Sequence, residues 1–145
     1  MEQENHKKED KWSWLDHKPD NMITINGTED KNFFKWWCII MTPFIGLTPK
    51  EIDLVSSLLK QRHELSKKIL DPELLDSQLM SNDTRQKILK ECGITLAHFY
   101  VLMSSLRSKG IVTETGLNSK VIPRVSKDNN GCCQLLLLFK DDIIK

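Results

Sequence analysis

The sequence predicts an α+β fold, a winged helix-turn-helix domain with an extended polar N-terminal arm. Three observations carry that expectation. The run from Asn82 to Gly110 reads as two helices joined by a short turn containing Gly93. After Gly110, strand-like and turn-rich stretches alternate, as a β-wing requires. The first 31 residues are polar and offer few apolar anchors. The boundaries drawn from these observations are an arm over 1–31 and a winged-helix domain over 32–145.

Composition limits the alternatives. The chain has 145 residues, 39% apolar and 28% charged, enough for one soluble core with a tail. No apolar run approaches the 18 or so residues of a membrane span, and the polar, acidic start is the opposite of a signal peptide. The formal charge is only +1, which argues against coating nucleic acid by bulk electrostatics. That balance is uneven along the chain: residues 1–31 hold five lysines against eight acids, whereas residues 84–145 hold ten basic side chains against five acidic ones.

In the arm, Trp12, Trp14 and Leu15 are the anchors suited to another surface. The first helix covers 32–42, with Asp30 as its cap and Pro43 closing it. Phe33, Trp36, Trp37 and Ile40 share one face, and Phe34, Cys38 and Met41 fall on the next. So wide an apolar surface has two readings, a central core helix or a helix packed partly on another chain. Thr48-Pro49-Lys50-Glu51 is a capping box opening a second helix, which carries Ile52, Val55, Leu58 and Leu59 at amphipathic spacing. Asp71-Pro72-Glu73 starts a third, with Leu74, Leu75 and Leu79.

In the helix-turn-helix run, Asn82 or Asp83 caps a helix ending near Cys92, Gly93 turns the chain, and Thr95 caps the next helix. That helix directs Leu96, Phe99, Leu102, Met103 and Leu106 inward. Strands are expected at Ile111–Glu114, at Val121–Val125 with Pro123 at an edge, and from Cys132 to Phe139. The last does not alternate, so both its faces need cover, from the chain itself or a neighbouring subunit.

A DNA-reading helix needs outward Arg, Lys, Asn or Gln. Here the outward positions are Ala97, His98, Val101, Ser104, Ser105 and Ser108, a poor reading set. Arg107 and Lys109 suit phosphate, as do Arg85, Lys87 and Lys90 before them and Lys120 and Arg124 after. No phosphate loop, nucleophile signature or carboxylate pair is evident, so the expectation is a non-enzyme without a small-molecule substrate. Neither the four cysteines nor the four histidines have ligand spacing, so no metal or cofactor is expected.

The run Phe33-Phe34-Lys35-Trp36-Trp37, then Leu47-Thr48-Pro49-Lys50-Glu51, the helix-turn-helix and Val121-Ile122-Pro123 resemble small winged-helix proteins of crAss-like tailed bacteriophages. The resemblance covers about residues 32–139 and implies a virion structural protein of the portal, neck or ring region. Its partners would be further copies of itself and other virion proteins. The expected subunit-interface residues are Trp12, Trp14, Phe33, Phe34, Trp36 and Trp37. The alternative is a winged-helix DNA-binding protein of transcription or replication, cytoplasmic rather than virion-borne, making weak duplex contact through Arg85, Lys87, Lys90, His98, Arg107, Lys109, Lys120 and Arg124.

Overall fold

In the computed structural model the described residues are 32–124. They form five helices, α1 (Phe33–Ile45), α2 (Pro49–Ser66), α3 (Pro72–Leu79), α4 (Asn82–Cys92) and α5 (Leu96–Ser108), then a short 3-10 turn at Ser119–Val121.

Most helix starts are set by local chemistry. At α2 the Thr48 hydroxyl accepts from the Glu51 N–H at 3.3 Å, and the Glu51 carboxylate accepts from the Thr48 N–H at 2.9 Å. Two orphan donors are thereby satisfied, and Pro49 fills a position that needs none. Asp71 caps α3 and Thr95 caps α5 in the same manner, through the N–H groups of Glu73 and His98. The cap of α4 is Ser81, one residue before the expected Asn82. Between α4 and α5, Gly93 has φ +64°, the left-handed conformation that glycine adopts without steric cost.

The axis of the domain is α2, which packs on all four other helices. Leu54, Val55, Leu58 and Leu59 are almost completely buried along it. Around them gather Phe33, Phe34 and Cys38 of α1, Leu79 of α3, Ile88 of α4 and Phe99, Met103 and Leu106 of α5. Phe33 and Phe34 meet edge to face, with ring centroids 5.1 Å apart. Glu91 of α4 is tied to α2 by the Ser57 hydroxyl and the Lys60 ammonium, both at 3.1 Å.

The expected fold class is overturned. Helix accounts for 71% of the described residues, and among them there is no strand and no sheet. In place of a wing strand, residues 111–118 make one tight reversal. The Thr113 N–H donates to Gly116 at 2.7 Å, the Asn118 N–H donates to Ile111 at 2.8 Å, and a single bridge joins Val112 to Leu117. Consecutive Ile111 and Val112 are both buried, together with Leu117. A half-solvated strand would send alternate side chains to opposite faces. These β-branched residues therefore plug the helical core instead of lining a ribbon. Beyond them the Asn118 side chain accepts from the Lys120 N–H at 3.0 Å and winds Ser119–Val121 into the 3-10 turn, where an extended strand was expected to start. Val125, the strand over 132–139 and the arm over 1–31 lie outside the described residues.

The first helix also differs from expectation, since it runs past Pro43 to Ile45 and Gly46. Proline removes one hydrogen bond, the one Ile39 O would accept. Ile39 sits on the exposed side, where water can replace that donor. The Thr42 hydroxyl holds the turn by donating to Cys38 O at 2.7 Å.

Candidate functional site

Helix α1 faces two ways. Its inner stripe of Phe33, Phe34 and Cys38 belongs to the chain's own core, with the two phenylalanines 8% and 6% exposed. Trp37 is half-buried, and its indole N–H donates to Val121 O at 2.8 Å, fastening the 3-10 turn to the helix. Of the four aromatic interface candidates on α1, only Trp36 is directed outward, 50% exposed. Ile39, Ile40 and Phe44 accompany it, and Phe44 is 58% exposed. Positions 36, 40 and 44 recur at the four-residue spacing of one helix face. Phe44 was missed because Pro43 was read as a stop; continuing the spacing through it would have found the residue. Trp12 and Trp14 lie outside the described residues.

The basic candidates differ in burial and in what holds them. Arg85 donates to Asn82 at 2.8 Å and to the Tyr100 hydroxyl at 3.2 Å, with its guanidinium 5.8 Å from the Tyr100 ring centroid. Lys87 and Lys90 on α4, Arg107 on α5, and Lys120 and Arg124 beyond it are exposed, while His98 is half-buried. The outward side of α5 carries Leu96, Tyr100 and Val101, all exposed, although Leu96 was expected inward. Arg85 and Arg107 share an open groove of about 160 Å³ with an apolar floor.

Lys109 is withdrawn from any phosphate role by an unexpected neighbour. Glu51, only 1% exposed, accepts from the Lys109 ammonium at 2.5 Å, the Ser105 hydroxyl at 2.9 Å and the Thr48 N–H. The same ammonium donates to Gly46 O at 2.7 Å. Burial pushes the Glu51 carboxyl upward, but the hydrogen bonds from Lys109, Thr48 and Ser105 together outweigh it and hold the group at about 2. The node is a fixed ion pair that clasps the end of α1, the start of α2 and the end of α5. The sequence identified Glu51 as half of a capping box; nothing local in it announces a partner 58 residues away.

Burial alone drives the Cys38 thiol up to about 12, which leaves it a packing group at neutral pH. Cys92 is raised too, chiefly by burial; Cys132 and Cys133 lie outside the described residues. Among the described residues no cluster of three or more metal-ligating side chains occurs, and no helix is long and apolar enough to cross a membrane. No family model, curated protein or solved structure matches the chain.

Proposed function

We propose that the chain is a non-enzymatic structural subunit of a tailed-phage particle, in the portal, neck or ring region, and that it docks on protein through the outer face of α1. The observation that carries the docking is the exposed row Trp36, Ile39, Ile40 and Phe44 on a helix whose opposite side is already committed to the core. Large aromatic side chains left in water on a rigid element are the usual anchors of an interface. The particle setting rests on the resemblance, of which the aromatic helix, the capping-box helix and the two-helix turn remain once the wing is withdrawn. Phe44→Glu puts a charge at the C-terminal end of this face, at its most exposed residue, without touching the core, so the variant is expected to fold normally and be depleted from purified particles. Mass spectrometry of particles that lack the wild-type chain altogether overturns the proposal.

A second reading, backbone contact with duplex DNA, draws support from the exposed cations Lys87, Lys90, Arg107, Lys120 and Arg124. It does not depend on a wing. Binding that weakens steeply with added salt would favour it over assembly.

A further inference from the structure

The open groove among α2, α4, α5 and the loop after α5 is built from two kinds of surface. Leu58, Ile88 and Met103 form its apolar floor, while Arg85, Arg107 and Tyr100 stand at its rim. Its volume is about 160 Å³, and an apolar cavity of about 150 Å³ accepts a benzene ring. The Arg85 Nε–H is buried there without a hydrogen-bond partner, and Arg107 lines the groove as an exposed cation. Such a surface selects an aromatic side chain flanked by carboxylates. The ring meets the floor and Tyr100, and the carboxylates meet the arginines.

The chain carries one stretch of that composition. Residues 9–16 read Glu9-Asp10-Lys11-Trp12-Ser13-Trp14-Leu15-Asp16, two tryptophans between carboxylates. Lys11 offers a charge opposite to that of Glu114, which also lines the groove. Sixteen residues lie between Asp16 and Phe33, a covalent reach of at most about 58 Å. A covalent tether keeps the segment with its own domain at any dilution, which a second copy in dilute solution does not share.

We propose that the Arg85–Arg107 groove receives the acidic, tryptophan-bearing segment 9–16 of the same chain. The inference is independent of docking through α1, since it uses a different face of the domain. It is tested on the full chain labelled with 5-fluorotryptophan, with the four fluorine signals assigned by single Trp→Phe variants. In the wild type, the signal of Trp12 or Trp14 is expected away from its position in a free peptide of residues 7–18, and unchanged on dilution. Arg107→Glu should return it to the peptide position. So should the arm variant Glu9→Lys/Asp10→Lys/Asp16→Lys, which leaves the folded domain untouched. Phe44→Glu should leave both signals in place, so failure of the assembly proposal does not imitate failure of this one. Wild-type signals already at the peptide positions overturn the inference. A displacement that vanishes on dilution also overturns it, because the occupant would then come from another molecule.

Discussion

Glu51 is the residue on which the helix ends depend, and its chemistry makes a prediction about acid. Its folded value of about 2 lies below that of an ordinary glutamate. A depressed carboxylate stabilises the fold fully above its unfolded value of about 4.3. That contribution is lost as pH falls through the interval down to the folded value. By linkage it amounts to about 3 kcal/mol. Glu51→Gln keeps the shape but leaves the Lys109 ammonium without its anion. The expected loss is about 2–3 kcal/mol at neutral pH, since Lys109 stays partly exposed and can recover some hydration. Urea melts at pH 7 and pH 3 check both points: the variant should be weaker at pH 7, and the gap should shrink to about half at pH 3, which still lies above the carboxylate's folded value. An unchanged difference between them at pH 3 would assign the effect to packing.

At the scale of the helix, legibility followed locality. Thr48, Asp71, Gly93 and Thr95 were readable because a cap or turn is decided within four residues of itself. So was the inward set Phe99, Leu102, Met103 and Leu106, which follows the helical period. Leu96 broke the pattern at the first turn, where the helix has only begun to face the core. The wing failed for a different reason. Ile111, Val112 and Val121 have the side chains of a strand, yet their destination was fixed by a hydrophobic gap between helices, which no short window of sequence contains. Because the α2 cap is local, its contribution is separable: Thr48→Ala is expected to lower stability by about 1 kcal/mol and Thr48→Ser by much less. Equilibrium denaturation with an unchanged m-value measures it. An equal loss for serine and alanine would implicate the threonine methyl rather than the hydroxyl.

Taken whole, the domain is an axial helix with four others laid around it, so damage to the axis is felt everywhere. Leu54 is fully buried in its first half. Leu54→Ala removes buried methyl groups and leaves a void that the surrounding helices cannot close together, with an expected cost of about 2–5 kcal/mol. Domains of this size have about 5–15 kcal/mol in total, so the variant should melt far below the wild type in a thermal scan. A small change would mean that the helices slide to refill the space. The same arrangement explains the two-sided α1. Packed on α2 alone among its strong neighbours, it is a peripheral layer with one side on the core and the other outward. Neither side of that division could be read from residue type, because aromatic residues occur on both: Phe33 and Phe34, expected at a subunit interface, are buried in the core, while Trp36 and Phe44 are exposed.

The clasp of Lys109 on Gly46 and Glu51 spans 63 and 58 positions of the chain. During synthesis the ribosome therefore releases α1 to α4, and most of α5, before the cation that Glu51 requires exists outside the exit tunnel. Until then the carboxylate can stay hydrated only if the start of α2 stays open. Burying the Glu51 carboxylate therefore costs more before the last turn of α5 is available than after it, which sets Lys109 among the last groups to complete the domain.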